Sequence, residues 1–248
     1  MSIGPGVKIA MYLRSLAIQG SWNYRTLIGS GFAFAMLPAL RAIYAGRPED
    51  LRAAIDRHRQ LFNSHPYLVG VALGAVSRLE AEGVAPATID RFKSAVRGSL
   101  GGLGDGLIWA GWRPLWVMLA LLLLALGTTW WVTVLVFLVG YNAGTLVLRG
   151  WGFHIGYHHG REVAQQLRRA HVANVQDRLA DAGAFALGVL LPLLVVASPA
   201  GDMPALPWLV ATIIGAGLGI RFGNAVRTPV VLVLILAMFV TLFAAFLQ

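Results

Sequence analysis

The chain has 248 residues, of which 57% are hydrophobic and only 12% are charged. Soluble globular domains are about 45–50% apolar and about 25% charged, so this composition excludes most soluble proteins and indicates an integral membrane protein. The sequence contains no cysteine, which excludes disulfides, thiolate zinc sites and a cysteine nucleophile. The net charge of +9 does not indicate nucleic-acid binding, because many basic residues flank apolar blocks, as they do at cytoplasmic ends of membrane segments.

Residues 1–97 form a first region of mixed character, predicted to hold amphipathic, interfacial and short re-entrant helices. The semi-apolar segment 11–44 is interrupted by polar side chains and does not fit a plain lipid-facing span. A polar helix is predicted over 48–61, because Pro48 suits a first helical turn. Its predicted buried stripe comprises Leu51, Ala54, Ile55 and Leu61.

Two further helices are predicted before residue 98. The segment 66–79 is shorter than the roughly 20 residues that cross a bilayer, so it is either a core helix or a re-entrant segment. The segment 85–97 follows as a second amphipathic stretch that carries several charges.

Residues 115–248 are predicted to form transmembrane helices. The uncharged stretch 114–148 has the length of two short spans, joined by a turn at 127–129. Its basic flanks, Arg113 and Arg149, favour a hairpin with both ends on the cytoplasmic side.

The rest of this region alternates between polar and apolar segments. A cytoplasmic loop or surface helix is predicted at about 150–180, and spans are predicted over 182–198, 208–220 and 229–247, with an outer turn at 199–207. The predicted fold class is an all-α integral membrane protein: an amphipathic and re-entrant helical N-terminal half, then a transmembrane helical bundle.

The segment 98–114, GSLGGLGDGLIWAGWRP, is the most informative local stretch. Each glycine costs a helix about 1 kcal/mol relative to alanine, and an acid such as Asp105 costs roughly 2.5–3.5 kcal/mol at a bilayer centre unless it is paired or solvated. These residues favour a broken or re-entrant element that lines a polar site. A cytoplasmic loop in which Asp105 caps a short helix explains them equally well.

Two other polar clusters are candidates for ligand binding. The segment 63–66, NSHP, offers amide, hydroxyl and imidazole groups to a polyhydroxylated ligand, although its residue types favour a helix cap. The segment 19–24, QGSWNY, places amides beside aromatic rings, which suits sugar recognition. Trp22 and Tyr24 also fit anchors at a membrane interface, and residue type alone favours that role.

Metal and cofactor chemistry has little support. His154, His158 and Glu162 recur at four-residue spacing, which could place them on one helix face, but polar side chains near a membrane surface are usually solvated. The sequence lacks a phosphate-binding GxxxxGK[ST] loop, a GxSxG elbow and an HExxH motif. We therefore expect no catalytic residue, metal site or cofactor in this chain.

Several ordered blocks carry a family resemblance. They are YLRSLAIQGSWNYRTLIGSGFAFAMLPALRAIY (12–44), RHRQLFNSHPYLVGVALG (57–74), GLGDGLIWAGWRP (102–114), WGFHIGYHHG (151–160) and VQDRLADAGAFALGVLL (175–191). In this order, they resemble the IID component of the mannose/fructose/sorbose-type sugar phosphotransferase system. The resemblance extends to about Leu194.

The resemblance implies a non-phosphorylated multi-pass subunit of the bacterial cytoplasmic membrane that pairs with a IIC subunit. The pair would translocate a mannose-type hexose through the lipid bilayer, as a trimer of IIC–IID pairs similar to an elevator-type transporter. Cytoplasmic IIA and IIB proteins would pass a phosphoryl group from phosphoenolpyruvate to the sugar. The family motifs assign six candidate sugar-binding residues: Asn63, His65, Asp105, Gln19, Trp22 and Asn23.

One departure keeps two alternatives open. GSLGGLGDG at 98–106 stands where family members commonly have a GPLAGIGDS-like sequence, so the surroundings of Asp105 are altered. An ion-coupled secondary transporter subunit, in which Asp105 titrates, is one alternative. A regulatory or scaffold paralogue without transport activity is the other.

Overall fold

The computed structural model describes residues 3–196, apart from the side chains of residues 191, 192 and 194–196. This part of the chain is helical and contains isolated β-bridges but no strand, which confirms the predicted all-α class. The predicted outer turn at 199–207 and the spans over 208–220 and 229–247 lie outside the described residues.

Nine α-helices form within residues 3–196. They are α1 (Pro5–Ser15), α2 (Gly29–Ile43), α3 (Pro48–His58), α4 (Val69–Ala81), α5 (Pro86–Gly104), α6 (Arg113–Ala125), α7 (Trp130–His159), α8 (Val163–Arg169) and α9 (Val172–Val196). A π-helix over Asp105–Trp112 joins α5 to α6, and a 3-10 turn over Gly160–Glu162 joins α7 to α8.

Two helical stretches in the described residues are long and apolar enough to cross a membrane, Pro86–Ala125 and Trp130–Leu190. Between them lies the turn predicted at 127–129. There α6 ends at Ala125, and Gly127 adopts a φ of +86° before α7 begins. Glycine enters this left-handed region without the steric cost that a Cβ atom imposes, which explains why the chain reverses here.

The helix predicted over 48–61 forms as α3 but ends at His58. Ala54 is buried as expected, whereas Leu61 lies beyond the helix and is 47% exposed. The segment predicted as a core or re-entrant helix forms α4, in which 12 of 13 residues are buried. This helix is therefore a core element.

Within the described residues, 3–105 and 143–172 form a first compact unit, and 106–142 and 173–196 form a second. In the first unit α2 packs against α1, α3 and α4. Its core contains fully buried side chains from α2 and α4 and from the segment before α4, among them Phe32, Met36, Leu40, Phe62 and Leu73. This core fixes the positions of the shorter helices and loops around it.

Inside the first unit, α4 and the C-terminal half of α7 meet through glycines. Each carries a Gly-x-x-x-Gly motif, at 70–74 in α4 and at 152–156 in α7. A Cβ atom on Gly74 would lie 2.2 Å from a carbonyl oxygen of α7, and one on Gly156 would lie 2.2 Å from a carbonyl oxygen of α4. Paired small residues of this kind let two backbones approach closely. We call this contact the glycine seam.

The glycine seam explains one difference from the sequence expectation. The sequence predicts a polar loop or surface helix from about residue 150, but α7 continues to His159. Packing on α4 buries Phe153 and Tyr157, so these residues remain in the helix. Most of the segment that follows, predicted as a loop or a surface helix, is helical, as α8 and the start of α9.

Arg149 is buried in the first unit, with 4% of its surface exposed. Its Nη1 donates a hydrogen bond to the Ser15 carbonyl oxygen at 2.6 Å, and its guanidinium lies 5.2 Å from the Tyr67 ring centroid. Arg149 therefore ties α7 to the end of α1 within the folded core. In the sequence Arg149 is a basic residue at the end of an apolar stretch, and that position does not predict its burial.

Candidate functional site

A cavity of about 370 Å³ lies in the first unit between α5 and the segment 61–63. This volume falls in the lower part of the range of about 300–1,000 Å³ found for small-molecule sites. The cavity is lined by Leu27, Leu61, Asn63, Arg97, Gly98, Gly101, Gly102 and Asp105. Two of the six predicted sugar-binding residues, Asn63 and Asp105, thus share one site although 42 residues separate them.

One face of α5 builds most of this cavity. Arg97, Gly101 and Asp105 recur at four-residue spacing, so they lie along one side of the helix with Arg97 and Asp105 about 12 Å apart along its axis. A Cβ atom added to Gly98, Gly101 or Gly102 would meet no atom within 4 Å. These glycines therefore leave the cavity open, and none is needed there for close packing.

The glycine-rich segment stays helical, where the sequence favours a break or a loop. The helix α5 runs through Gly104, and the π-helix Asp105–Trp112 continues directly into α6. The segment that contains His65 packs directly against this helix, because a Cβ atom on Gly104 would lie 2.1 Å from the His65 Cβ atom. This contact supports the helical conformation. A π-helix is rare and often marks a functional site. Here it begins at Asp105, at one end of the cavity.

His65 packs against α5 at Gly104 and is not one of the residues that line the cavity. Its side chain is 2% exposed, and its Nδ1 accepts a hydrogen bond from the Tyr67 backbone N–H at 3.2 Å. Burial lowers the pKa of His65 to about 4, although the charge of Asp105 acts in the opposite direction. The imidazole is therefore neutral at pH 7 and packs against α5 at Gly104.

The alternative role of the NSHP segment as a helix cap does not hold. The following helix, α4, begins at Val69, and the residue at its N-cap position is Leu68, which makes no capping hydrogen bond with its side chain. Asn63 lies six residues before this helix and is exposed at the cavity. Asn63 therefore lines a space that a ligand can enter.

Asn23 organises the loop that precedes α2. Its Oδ1 accepts a hydrogen bond from the Thr26 backbone N–H at 2.9 Å, and its Nδ2 donates to Thr26 Oγ1 at 2.9 Å. The Phe62 backbone N–H donates to the Thr26 carbonyl oxygen at 3.2 Å, and that of Ile28 donates to the Phe62 carbonyl oxygen at 3.1 Å. Asn23 thus holds a loop that joins the segment 61–63 and presents Leu27 to the cavity.

Gln19 and Trp22 lie on the protein surface and do not line the cavity. The Trp22 ring contacts the Tyr24 ring edge-on, with 4.8 Å between the ring centroids. Trp22 is 46% exposed and Tyr24 is 90% exposed. Gln19 and Trp22 therefore lie outside the set of residues that line the cavity with Asn63 and Asp105.

Arg97 is an addition to the predicted site residues. It is half-buried at the cavity, two helical turns before Asp105. In the sequence, only its four-residue spacing from Gly101 and Asp105 could have indicated that Arg97 lies on the same side as Asp105. That spacing is informative only in a helix, and the low helix propensity of the glycines argues against a helix there.

A buried cluster around Glu80 lies in the first unit outside the cavity lining, and the sequence does not predict it. The Glu80 carboxylate accepts hydrogen bonds from Tyr44 Oη at 2.5 Å, Arg57 Nη2 at 2.6 Å and His58 Nε2 at 2.8 Å. Lys93 Nζ donates to the Arg57 carbonyl oxygen at 3.1 Å. We call these five residues the Glu80 cluster; it joins the ends of α2 and α3 to α4 and α5.

Electrostatics within the Glu80 cluster favour one charge state. Burial by itself raises the pKa of Glu80, but hydrogen bonds from His58, Arg57 and Tyr44 outweigh it and lower the pKa to about 2. Burial also lowers the pKa of His58, so the imidazole is neutral at pH 7 and donates from Nε2. The cluster then contains one carboxylate and two cations: Arg57 pairs with the carboxylate, and the Lys93 ammonium lies 6.0 Å from the centroid of the Phe62 ring.

The histidines of α7 were the candidates for metal binding. His154 and His158 do stack on one helix face, with 4.2 Å between their ring centroids. Among residues 3–196, no group of three or more histidine or acidic side chains is placed to hold a metal ion. The site chemistry in the described structure is that of Asn63, Arg97 and Asp105.

Comparison with known proteins links this architecture to one family. The family model of the PTS system mannose/fructose/sorbose family IID component matches residues 6–200. The mannose-specific EIID component of Escherichia coli K12 is 30% identical over 186 residues, which cover 73% of this chain and 65% of that protein. The sorbose-specific EIID component of Klebsiella pneumoniae is 28% identical over 213 residues, covering 81% and 77%. The chain thus spans about two thirds of the E. coli relative.

Solved structures share the fold. A chain in the cryoEM structure of the mannose transporter ManYZ in complex with microcin E492 matches with a TM-score of 0.61 and 24% identity, over 99% of this chain and 97% of that one. A second structure, of a membrane protein, matches with a TM-score of 0.69 over the same shares of each chain. The motif resemblance, the family match over residues 6–200 and the helical fold agree: the chain belongs to the IID component family of the mannose/fructose/sorbose phosphotransferase systems.

Proposed function

We propose that the chain is the IID subunit of a phosphoenolpyruvate-dependent system in a bacterial cytoplasmic membrane, where it forms with a IIC subunit the translocation unit for a mannose-type hexose. Family membership supports this role. IIA and IIB proteins supply the phosphoryl group, so the chain itself needs no nucleophile and is not an enzyme. The functional assembly is a trimer of IIC–IID pairs.

The observation that carries the proposal is the convergence of Asn63 and Asp105 on one open cavity. An amide both donates and accepts hydrogen bonds, and a carboxylate accepts them, so together they match the hydroxyl groups of a sugar. These contacts replace hydrogen bonds to water that the sugar gives up on entry. We assign direct sugar contact to Asn63 and Asp105, and positioning roles to His65 and Asn23. Contact of Gln19 and Trp22 with sugar stays a prediction.

The proposal is tested by uptake of radiolabelled hexose into vesicles that contain the IIC and IID subunits with IIA and IIB. The double variant Asn63→Ala with Asp105→Ala is expected to lower uptake at least about tenfold, because each lost hydrogen bond contributes about 1 kcal/mol or more when one partner is charged. A matched control removes an exposed acid and an exposed amide elsewhere, Glu49→Ala with Gln165→Ala.

Each outcome of this assay is informative. Wild-type uptake in the cavity variant would refute the site assignment. Uptake that persists without phosphoenolpyruvate but collapses with an uncoupler would refute the phosphotransferase mechanism and favour ion coupling through Asp105. Loss of uptake in both the cavity variant and its control would show that the subunit assembles poorly, and a folded single variant, Asp105→Asn, would then be measured.

Filling the cavity is a second test. Gly101→Leu places a side chain in open space and replaces a residue of low helix propensity, so we expect the thermal unfolding temperature to stay the same or rise. Because the side chain occupies the cavity, we expect uptake to fall several-fold. Ser99→Leu, at an exposed position about 160° around the axis of α5 from Gly101, is the matched control and is expected to keep wild-type uptake. Full uptake in Gly101→Leu would mean that the sugar does not use this space.

A further inference from the structure

The N-terminal part of the chain has a one-sided charge distribution. Residues 1–48 contain no acidic side chain, and the first acid is Glu49. The same stretch contains five basic side chains, Lys8, Arg14, Arg25, Arg41 and Arg47. A surface with this charge attracts anions and repels a second copy of itself.

The helix α1 has two apolar faces, and the fold uses one. Met11 and Ser15 are buried, with 0% and 1% exposed. On the opposite side Ile9, Leu13 and Leu16 are 60%, 57% and 47% exposed, and their spacing places them within about 60° of one another around the helix axis. We call these three residues the α1 stripe.

Cations lie on both sides of the α1 stripe. The Lys8 ammonium is 3.8 Å from the centroid of the Tyr157 ring on one side. The Arg14 guanidinium is 4.7 Å from that of the Phe34 ring on the other, and its Nη1 donates to the Phe34 carbonyl oxygen at 3.3 Å. These contacts fix the positions of both cations but do not neutralise them. Phe34 is itself 46% exposed, so it extends the apolar surface onto α2.

The loop after α1 adds aromatic side chains. Trp22 and Tyr24 are exposed, and their amphipathic rings are of the type enriched where the membrane meets water. Arg25 follows directly and is exposed. An apolar stripe with flanking cations and adjacent aromatic rings is the pattern of a helix that lies in the plane of a membrane surface.

We propose that α1 and the loop 19–25 lie in the headgroup layer of the bilayer, with the α1 stripe toward the acyl chains and Lys8, Arg14 and Arg25 on anionic phospholipid headgroups. The helix has 11 residues and is about 16 Å long, too short to cross a bilayer. The basic charge matches anionic headgroups, and the exposed rings of Trp22 and Tyr24 beside it match the boundary between membrane and water, so together they favour lipid as the occupant.

This inference concerns how the N-terminal helix is held, and it does not depend on the sugar contacts assigned to Asn63 and Asp105. It gives Gln19 and Trp22 a place at the membrane surface instead of the sugar contact that the family motifs imply.

Site-directed spin labelling tests the proposal directly, because the chain contains no cysteine. Single variants Ile9→Cys, Leu13→Cys and Leu16→Cys are labelled in the full chain with its IIC subunit, in nanodiscs of phosphatidylcholine and phosphatidylglycerol at about two to one. All three labels are expected to collide readily with oxygen and poorly with a water-soluble nickel chelate. Arg52→Cys, exposed on α3, is the control and is expected to show the reverse.

Two results would overturn the proposal. Ready collision of the three labels with nickel would show that the α1 stripe faces water. Shielding from both oxygen and nickel would show that a protein surface, such as the IIC subunit, covers it.

A charge variant tests the choice of anionic lipid. Arg25→Gln removes an exposed cation, and the preference of spin-labelled phosphatidylglycerol over phosphatidylcholine at the chain is expected to fall, by up to about fivefold at the sites that Arg25 contacts. Arg52→Gln is the control. An unchanged preference in Arg25→Gln would contradict the assigned role of the basic residues.

Discussion

Glu80→Gln is expected to lower the free energy of unfolding by about 3–5 kcal/mol, because it removes one partner of a buried ion pair and leaves the other charge in the core. The Glu80 side chain is 1% exposed and that of Arg57 is 11% exposed, so water does not replace the lost contact. Chemical or thermal unfolding of the purified chain in detergent measures the change.

The same helix end supplies a matched control. Glu82, two residues further along, pairs with Arg78 on the surface, and both side chains are more than 40% exposed. Exposed pairs contribute about 0–1 kcal/mol, so Glu82→Gln is expected to change stability little. Equal effects of the two variants would show that the Glu80 cluster does not stabilise the fold.

The pH dependence of stability gives the Glu80 cluster a second signature. The folded pKa of Glu80 is lowered to about 2, so the cluster contributes fully above about pH 4.5, and this contribution is lost as the pH falls from 4.5 toward 2. His58, whose pKa is also lowered, adds a decline that begins below about pH 6.5, because only the unfolded state then gains a proton. Glu80→Gln is expected to keep the His58 decline and lose the part below pH 4.5. An unaltered profile would contradict this assignment.

Gly156→Ala is expected to cost about 3 kcal/mol, at the upper end for overpacking. The new Cβ atom would lie 2.2 Å from the Val71 carbonyl oxygen and 3.0 Å from the Ala75 backbone nitrogen, and backbone atoms cannot rotate away as a side chain does. The helices must separate, which breaks the glycine seam. Thermal unfolding in detergent, followed by circular dichroism, measures the loss.

Gly150→Ala, on the same helix, is the control for this substitution. Its Cβ atom would approach only a Tyr12 ring carbon, at an ordinary 3.7 Å. Because alanine favours a helix by about 1 kcal/mol over glycine, this variant is expected to be as stable as the wild type or more stable. A Gly156→Ala chain as stable as Gly150→Ala would show that the two helices do not pack through their glycines.

Local chemistry made some features predictable from the sequence. Gly127, three residues before Trp130, marks a turn because glycine adopts a left-handed backbone conformation by itself, without a contact from a distant residue. The helix start at Pro48 has the same basis. By contrast, only the family motifs suggested that Asn63 and Asp105 act together, since no local pattern connects residues so far apart in the chain.

Tertiary contacts decided the features that the sequence did not show. The glycines of 98–106 have low helix propensity, but contact with His65 at Gly104 supports a continuous helix. Glu80 is one acid in an apolar helix, and nothing local shows that Tyr44, Arg57 and His58 converge on it. The sequence of residues 151–159 resembles the start of a polar loop. In the structure they are helical, because α4 provides the surface that buries their apolar side chains.

The glycine seam also constrains how the first unit can move. Helices that meet through side chains can slide by changing rotamers, but a contact between two backbones has no rotamers to change. The carbonyl oxygens of Phe153 and Val71 lie against Gly74 and Gly156, so any sliding of α4 along α7 would bring these oxygens into collision with a neighbouring residue that bears a side chain. Helix α4 and residues 143–159 of α7 therefore behave as one rigid element, and any deformation of the first unit must occur elsewhere in that unit.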